Sequence, residues 1–345
     1  MATQTFELFC IGNPLLDMQA RNGEKLLEKY DLKANDAILA EEKHANIYDE
    51  IVRDYAITYV AGGASQNAAR GAAYVLPPNS VVYVGCVGDD ELADQLRAAN
   101  EREGLHERYL VKKGAKTGAC AVVLTNHDRS LVTTLRAAEM FEKSHLSSPA
   151  VAPLVAAAKV FYVEGFFLTH GTESVLEVSK KASEASKVFV LNLSAPFIPQ
   201  FFGTQLASVL PYCDIVIGNE TEAEAYATKA GLPNPKDLAA TAKYIATQPK
   251  ANSRPRIVIF THGAESTVLV SSENPDSAKI FKVTPVPHDE IVDTNGAGDA
   301  FAGGFLGAYV VGKSIDECVE VGHKLGAMSV RLVGPQYKQP KVQIL

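Results

Sequence analysis

The chain has 345 residues, of which 47% are hydrophobic and 21% charged, and its formal net charge at pH 7 is −7. This composition is typical of a folded globular protein and excludes a largely disordered one. The acidic balance also excludes the broad basic surface with which proteins bind nucleic acids or anionic membranes, so we expect small-molecule partners and local binding of any phosphate.

The N-terminal stretch MATQTFELFCIGNP lacks the basic region and the long apolar run of a signal peptide. No later window approaches 18 uninterrupted apolar residues, the length of a membrane-spanning helix. These features predict a cytoplasmic protein and leave the nucleus open as a second location. The five cysteines form no CxxC pair, and we expect them to be reduced packing residues.

Short runs rich in valine, isoleucine and phenylalanine recur along the chain, each followed by a polar or glycine turn and then a helical pattern. Predicted helices span residues 89–103, 173–186 and 220–230. This alternation predicts an α/β fold with a mainly parallel central sheet and helices on both faces. The predicted strands lie in FELFCIG, VVYVGCVG, KVFYVEG, KVFVLNL, DIVIGN and RIVIFTHG.

Two regions depart from this pattern. Residues 14–62 and 114–140 alternate with a period of two, as in LLDMQA and TGACAVVLT, without a helix between every strand. They predict a small antiparallel sheet, built from two separate segments, that forms a lid. The large α/β domain then consists of residues 1–13, 63–113 and 141–345.

One helix is predicted inside the first lid segment. Ile47, Ile51 and Tyr55 are spaced four residues apart, which gives this helix an apolar stripe. We expect it to cover the outer face of the lid. A covered face removes a natural dimerisation surface and therefore favours a monomer.

Polar residues follow the predicted parallel strands, at the edge where open α/β sheets bind their ligands. Any one of them could be a helix cap or a turn former. The same bias in several loops instead favours a binding site at this edge. The residues are Asn13 and Asp17 after the first strand, Glu164 and Gly165 after KVFYV, Asn192 after VFVL, Asn219 and Glu222 after DIVIG, and Thr261, His262 and Gly263 after RIVIF.

The stretch AGGASQN contains a glycine pair. Gly62 and Gly63 can bring backbone N–H groups close to a ligand, and Asn67 lies at the start of the helix that follows. A plain strand-to-helix turn is the alternative interpretation. Together with Asp17, the stretch offers amides and a carboxylate, which suit vicinal sugar hydroxyls.

The stretch VDTNGAGDAFAGGF places Asp299 directly after a glycine turn, where an apolar helix begins. The free N–H groups and the dipole at such a helix start bind phosphate. An aspartate there can also be a simple cap, but a cap leaves the DTN triplet and the doubled glycines unexplained. A phosphate held beside a carboxylate base is what phosphoryl transfer to a hydroxyl needs.

A second glycine motif is misleading. GAYVVGKS, residues 307–314, matches the P-loop pattern GxxxxGK[ST], but it continues a predicted helix where a P-loop must follow a strand. Gly312 is therefore expected to end that helix, and Ser314 and Glu317 to form a capping box for the next one. Lys313 is then a surface residue.

AGGASQN at 61–67 and DTNGAGDAF at 293–301 resemble the two signatures of the ribokinase family of sugar and nucleoside kinases, in the same order and at the same separation. GNPLLD, GFFLT, NLSAPF and GNETEA resemble the branch that phosphorylates adenosine, and the similarity runs from about residue 6 to about residue 333. The resemblance implies a ribokinase-like fold with a β-sheet lid. It also implies transfer of the γ-phosphate of ATP to the 5′-hydroxyl of adenosine, giving AMP and ADP in purine salvage, with Mg²⁺ as cofactor.

The resemblance further implies roles for individual residues. Asp299 would be the general base, and Arg129, in the lid, would reach over the transferring phosphate. Glu222, in the NxxE element, would organise Mg²⁺ through water. The amides of Gly296, Ala297 and Gly298 would form the anion hole; Asn13, Asp17, Gly63 and Asn67 would hold the ribose; Leu135, Phe167 and Phe197 would pack on the base; and Asn219, Thr261, Gly263, Asn295 and His323 would bind ATP.

Some points stay open at this level. For Phe167, Phe197 and His323, ordinary core packing is the alternative. Ala64 stands where many members of that branch carry serine, and Glu164 stands where a small residue is common, near the expected nucleobase. A kinase of another nucleoside or sugar, and a catalytically silent nucleoside sensor, are the alternative functions.

Overall fold

The computed structural model describes residues 6–33, 37–125 and 128–345. These residues form sixteen strands. The strands are β1 (Leu8–Ile11), β2 (Leu15–Arg21), β3 (Ala37–Leu39), β4 (Ile57–Gly62), β5 (Val81–Val84), β6 (Cys86–Gly88), β7 (His106–Glu107), β8 (Leu110–Lys112), β9 (Gly118–Thr125), β10 (Asp128–Thr134), β11 (Val160–Glu164), β12 (Val188–Asn192), β13 (Ile215–Asn219), β14 (Ile257–Thr261), β15 (Ser266–Ser271) and β16 (Lys279–Lys282).

The same residues form twelve α-helices and several single 3₁₀ turns. No helix in the described ranges is long and apolar enough to cross a membrane. The helices are α1 (Glu24–Tyr30), α2 (Ile47–Asp54), α3 (Ala64–Val75), α4 (Glu91–Glu103), α5 (Ala152–Ala157), α6 (Leu168–Glu184), α7 (Phe197–Phe201), α8 (Gly203–Val209), α9 (Glu220–Ala230), α10 (Leu238–Ala246), α11 (Ala297–Val310) and α12 (Ile315–Ser329).

The larger sheet has nine strands in the order β16-β15-β14-β13-β12-β11-β1-β5-β7. From β14 to β7 all neighbours are parallel, and only β15 and β16 pair antiparallel, at one edge. The short runs of buried valine and isoleucine suit strands that are covered on both sides. The predicted mainly parallel sheet is confirmed.

Helices cover both faces of this sheet because side chains alternate along each strand. Leu8 and Cys10 of β1 point into one core cluster, which includes residues of α3, α11 and α12. Phe9 and Ile11 point into a second cluster, which includes residues of α6 and α10. The predicted α/β fold with helices on both faces is therefore confirmed.

The smaller sheet has five strands in the order β3-β10-β9-β2-β4. The pairs β2–β4 and β9–β10 are antiparallel, but β2–β9 and β3–β10 are parallel. The prediction of an antiparallel lid is thus only half right. Strands β2 and β9 come from separate segments, 15–21 and 118–125, so no hairpin turn requires them to be antiparallel. All five strands lie within 14–62 and 114–140, and the domain boundaries themselves stay predictions.

Helix α2 packs on this smaller sheet as its stripe predicts. Ile47, Tyr48 and Ile51 are buried, and Tyr48 Oη donates to the carbonyl of Val132 in β10 at 2.9 Å. Tyr55, just past the helix, is half-buried. The predicted cover over the lid is confirmed for this helix.

The C-terminal glycine motif is a helix junction. Gly312 follows α11 with φ +81°, and Ser314 caps α12 in a capping box with Glu317. Lys313 is exposed and pairs with Glu317. The interpretation of GAYVVGKS as a false P-loop match is confirmed, and the five cysteines are buried and unpaired as predicted.

Candidate active site

A cavity of about 460 Å³ lies between the smaller sheet and the carboxyl edge of the larger one. It is lined by strand ends from both sheets and by the N-terminal turns of α3 and α11. Most of the residues that the sequence singled out meet there. They are Asn13, Asp17, Gly63, Asn67, Leu135, Phe167, Phe197, Asn219, Glu222, Asn295 and Asp299.

Asp299 occupies the third position of α11, and it does not cap that helix. Among the described residues, no side chain caps α11 at Gly296. The Asp299 carboxylate instead accepts a hydrogen bond from Asn67 Nδ2 at 2.9 Å, across 232 positions of sequence. A capping carboxylate would have accepted a hydrogen bond from a backbone amide of its own helix, so the capping interpretation is disfavoured.

The turn before Asp299 needs glycine at one position and leaves space at another. Gly296 has φ +77°, and a Cβ there would lie 2.7 Å from Cβ of Pro335. At Gly298 an added Cβ would meet no described atom within 4 Å. The amide of Ala297 donates to the carbonyl of Thr294 at 3.2 Å, which leaves the next amides of the first turn for an anion.

Burial weakens the acidity of two carboxylates that face the cavity. It raises the pKa of Asp17 to about 7, against the opposing effect of Arg70 and Arg129. It raises the pKa of Asp299 to about 6, against the hydrogen bond from Asn67 and the charge of Arg70. Both carboxylates are therefore poised near neutrality, which suits a group that exchanges a proton.

The glycine pair lets β4 pass close to β2. A Cβ on Gly62 would lie 2.3 Å from Asp17 Oδ1, and one on Gly63, which has φ +86°, would lie 2.1 Å from the carbonyl of Asn13. Glycine is therefore required at both positions by the neighbouring atoms. The hydroxyl of Ser65 donates to the carbonyl of Ile11 at 2.9 Å.

Asn13 presents a free donor to the cavity. Its Oδ1 lies 2.9 Å from His170 Nε2, and burial lowers the pKa of His170 to about 4, so the neutral ring donates this hydrogen bond. Asn13 Nδ2 is buried and has no hydrogen-bond partner among the described residues. An orphaned buried donor of this kind points to a polar ligand.

The aromatic wall differs from the prediction in one residue. Phe167 is fully buried, and its ring packs edge-on against Phe141 and His170. Phe166, which the sequence did not single out, is half-buried, and its ring lies 5.8 Å from that of Phe197. Phe166, Phe167 and Phe197 therefore all line the cavity, and the sequence prediction lacked only Phe166.

The NxxE element is a helix cap that also faces the cavity. Asn219 Oδ1 accepts the amide of Glu222, and Glu222 Oε2 accepts the amide of Asn219. Burial raises the pKa of Glu222 to about 7, and the charges of nearby acids, including Asp299, add to this. Thr261 is paired with Asn219 on the neighbouring strand, so β13 and β14 bring these residues to one edge.

Glu164 is one of several acidic side chains that line the cavity. It is the last residue of β11, lines the cavity and accepts a hydrogen bond from Tyr162 Oη at 3.0 Å. Its pKa is raised by burial and then by the charges of Asp299 and Glu222. The charges that act on Glu164 are thus those of Asp299, at the start of α11, and Glu222, at the start of α9.

Arg129, Thr261, Gly263 and His323 do not line the cavity. Gly296, Ala297 and Gly298 are not among its lining residues either, so the anion hole at this turn stays a prediction. Arg129 reaches from β10 to Asp293 of the DTN triplet, with Nη2 to Oδ2 at 2.8 Å. Asp293 also accepts the amides of Asn295 and Gly334. From the sequence, no role was assigned to Asp293, although the DTN triplet, which a helix cap does not explain, was the signal that could have identified it.

His323 lies away from the cavity, on α12. Its Nε2 is 2.8 Å from Thr267 Oγ1, and its ring is 5.5 Å from that of Phe301. Burial lowers its pKa. These contacts agree with either a packing role or the edge of a neighbouring site, so its predicted contact with ATP stays a prediction.

Residues 24–342 match the family model described as pfkB family carbohydrate kinase. The chain belongs to this family. It is 67% identical over 342 residues to the adenosine kinase of Schizophyllum commune, a comparison that covers 99% of each chain. It is 45% identical over 343 residues to the adenosine kinase of Saccharomyces cerevisiae, with 98% of each chain covered.

Solved structures agree with these sequence matches. The adenosine kinase of Anopheles gambiae, in complex with P1,P4-di(adenosine-5) tetraphosphate, superposes with a TM-score of 0.89 at 40% identity, covering 94% of this chain and 96% of that one. The adenosine kinase of Schistosoma mansoni, in complex with 2-fluoroadenosine, gives 0.90 at 36% identity, covering 97% and 98%. The predicted ribokinase-like fold and the predicted kinase family are confirmed.

Proposed function

We propose that this chain is an adenosine kinase of purine salvage, which transfers the γ-phosphate of ATP to the 5′-hydroxyl of adenosine and releases AMP and ADP. The observation that carries the proposal is the carboxylate of Asp299 at the start of α11, facing the cavity beside Asn67. The full-length similarity to adenosine kinases supports the choice of substrate.

The acceptor nucleoside fits the cavity between the sheets. Asp17, Asn67 and the orphaned Nδ2 of Asn13 supply an acceptor and donors for ribose hydroxyls. The flat surfaces of Phe166 and Phe197 suit a purine. A bare sugar would leave this aromatic surface uncovered, which favours a nucleoside over the sugar alternative.

Asp299 is the proposed general base. It accepts the proton of the 5′-hydroxyl as that oxygen attacks the γ-phosphorus, and the bond from phosphorus to the ADP oxygen breaks on the opposite side. With a pKa of about 6, the carboxylate is ionised at neutral pH yet basic enough to take a proton. The amides of the first turn of α11, beside Gly298, stabilise the charge on the transferred phosphoryl group.

Mg²⁺ is the proposed cofactor, held mainly by the substrate phosphates. Among the described residues, no three His, Cys, Asp or Glu side chains are placed to hold a metal together. Mg²⁺ usually keeps several waters and binds through one or two carboxylates and phosphates, so the Glu222 carboxylate, one of those that face the cavity, fits it. When bound, the ion would neutralise phosphate charge during transfer.

ATP is the co-substrate, and its site is proposed on the α11 side of the cavity. Asn219 and Thr261 lie side by side at the ends of β13 and β14, and Asn295 lines the cavity just before α11. Gly263 and His323 extend the proposed site away from the cavity. The ligand of the Anopheles relative, two adenosines joined by a tetraphosphate, suits an acceptor site and a donor site placed end to end.

Two further properties are proposed. Helix α2 covers the outer face of the lid, which favours a monomer. The second is a location in the cytoplasm, with the nucleus open as a second compartment.

The Asp299→Asn variant tests the proposal. With Mg²⁺ and ATP, ADP release is measured on adenosine, inosine, guanosine, ribose and fructose, and adenosine binding is measured by calorimetry. Turnover should be confined to adenosine and should fall by at least ~10²-fold in the variant, the low end for a positioned base, while adenosine still binds. Asp316→Asn, at an exposed ion pair on α12, is the matched control and should be fully active.

Other results would contradict the proposal in distinct ways. Turnover with a sugar only would keep the fold and replace the substrate. Adenosine binding without turnover in the wild-type chain would identify a nucleoside sensor. Near-normal turnover of Asp299→Asn would remove Asp299 from its role as base.

A further inference from the structure

Arg70 is a fully buried cation that the proposed reaction does not use. It lies on α3, one turn after Asn67, and its side chain is 1% exposed. Nε and Nη2 donate to the two carboxylate oxygens of Glu103 at 2.6 and 2.7 Å. Nη1 donates to the carbonyl of Ala61 at 2.6 Å and to Asn67 Oδ1 at 3.2 Å.

These contacts fix the orientation of the Asn67 amide. A guanidinium can only donate, so Asn67 must turn its oxygen toward Arg70 and its NH₂ group toward the cavity. That NH₂ group is the one that donates to Asp299 Oδ2. The carbonyl of Asn67 accepts from Tyr337 Oη at 3.1 Å, which restrains the backbone as well.

Arg70 also joins the lid to this chain of hydrogen bonds. Ala61 lies near the end of β4, the lid strand that leads into α3, and Glu103 is the last residue of α4. One guanidinium therefore links a lid strand, two helices and, through Asn67, the start of α11. Movement of any one of these elements changes the position of the Asn67 amide.

We propose that Arg70, anchored by Glu103, is a positioning residue that orients Asn67 toward Asp299 and couples the end of lid strand β4 to the base. This inference rests on the proposed role of Asp299. Arg70 itself does not line the cavity between the two sheets. Its effect passes through the Asn67 amide and through its charge.

The charges around Asp299 make this effect visible in a pH profile. Arg70 opposes the effect of burial on the pKa of both Asp17 and Asp299. Around Asp17, Arg129 of β10 favours ionisation, whereas Asp293 and Asp299 oppose it. The other groups whose charges interact with Asp299 are Tyr162 and Glu164 of β11, Glu222 of α9, and Tyr337 of the C-terminal segment. Glu103 of α4 faces Arg70.

The first test compares Arg70→Gln with a control at an equally buried arginine. Arg256 is 0% exposed and donates to the carbonyls of Leu210, Ile245 and other residues far from the cavity. Measured are kcat and KM from pH 5 to 9, together with the thermal unfolding midpoint. Arg70→Gln should lower kcat at least ~10-fold and move the acid limb of the pH profile of kcat to higher pH. Arg256→Gln should lower only the unfolding midpoint.

The second test uses a cavity of about 200 Å³ that adjoins Arg70 and Glu103, on the side away from Asp299. A guanidinium ion added at low millimolar concentration can enter the space vacated in Arg70→Ala. It should raise the kcat of Arg70→Ala at least ~3-fold over the value without guanidinium. It should also return the acid limb of the pH profile toward that of the wild type. Sodium chloride and urea at the same concentrations, and guanidinium added to Arg256→Ala, should have no such effect.

Conservative variants keep the proposal falsifiable if Arg70→Gln and Arg70→Ala fold poorly. Arg70→Lys keeps the positive charge but not the planar guanidinium that donates several hydrogen bonds at once. It should therefore restore the acid limb of the pH profile but not the full kcat. The side chain of Glu103 is 24% exposed, and Glu103→Gln should lower kcat ~3-fold or more. Unchanged kcat and unchanged pH profiles in these variants would overturn the proposal, whereas near-normal turnover of Asp299→Asn would overturn the assignment of the base instead.

Discussion

Asp17 is a buried carboxylate whose ionisation opposes folding at neutral pH. Its side chain is 6% exposed, and burial raises its pKa from an ordinary 3.8 to about 7. A carboxyl group with a raised folded-state pKa stabilises the fold below about pH 4, and this stability is lost as the pH rises through 7. At pH 8 the ionised group therefore lowers the free energy of unfolding by roughly 2–4 kcal/mol.

The Asp17→Asn variant should therefore unfold at a higher temperature than wild type at pH 8, by roughly 2–6 °C, and this advantage should vanish near pH 4. Adenosine affinity should fall at least ~10-fold, because the amide replaces a charged acceptor for the ribose. Calorimetric unfolding from pH 4 to 8 measures the first effect, with Asp316→Asn as control. A stability gain that is independent of pH would show that ionisation of Asp17 is not its cause.

The sequence predicted part of this site at the level of residues. Motif spacing brought Asp17, Asn67 and Asp299 together correctly, because Asn67 and Asp299 lie in first helical turns at the same edge of the larger sheet and Asp17 lies in β2, which follows β1 at that edge. It singled out Phe167 but not its neighbour Phe166, since only the 3₁₀ turn at 165–167 brings both rings to the cavity. Arg70 was invisible because its partners come from separate elements.

The start of α11 separates two reasons for having glycine. Gly296 is required by the fold, since its φ of +77° is unfavourable for other residues and Pro335 blocks a Cβ. Gly298 has no such requirement among the described atoms, and a helix position of this kind favours alanine by roughly 0.5–1 kcal/mol. The space at Gly298 therefore suits the approach of a phosphate.

We expect Gly298→Ala to keep or raise the unfolding midpoint while lowering kcat at least ~10-fold, because the methyl group obstructs the phosphate. Gly296→Ala should lower the midpoint, from a backbone cost of roughly 1–2 kcal/mol and the contact with Pro335. Gly203→Ala, at the start of α8 where a Cβ meets only Lys229 at 3.8 Å, is the control. A fully active Gly298→Ala protein would contradict phosphate binding at this turn.

The strands and helices themselves were largely predictable, but the pairing of the lid strands was not. Period-two alternation located β2, β9 and β10, and the larger sheet followed from its apolar runs. Pairing of β2 with β9 joins residues about a hundred positions apart, so no local pattern sets their relative direction. The parallel pairs of the lid appear only in the folded chain.

At the scale of the whole molecule, the ion pair of Arg129 with Asp293 connects the lid to the segment that precedes α11. Both side chains are almost fully buried, at 11% and 3% exposure. Asp293 keeps two backbone amide donors if Arg129 is removed, so its charge stays stabilised. The pair can therefore open without leaving a wholly uncompensated carboxylate, as a lid contact must.

This arrangement separates two possible roles of Arg129. If it only holds the lid closed, Arg129→Gln and Asp293→Asn should lower kcat equally, because each removes the same ion pair. If it also stabilises the transferring phosphate, Arg129→Gln should be worse by on the order of 10²-fold in kcat, with adenosine affinity changed less than about threefold. We expect the second result, together with faster amide exchange in β10 for both variants. Arg53→Gln, at an exposed ion pair with Asp54 at the end of α2, removes the same charge from the lid and should change neither kcat nor exchange.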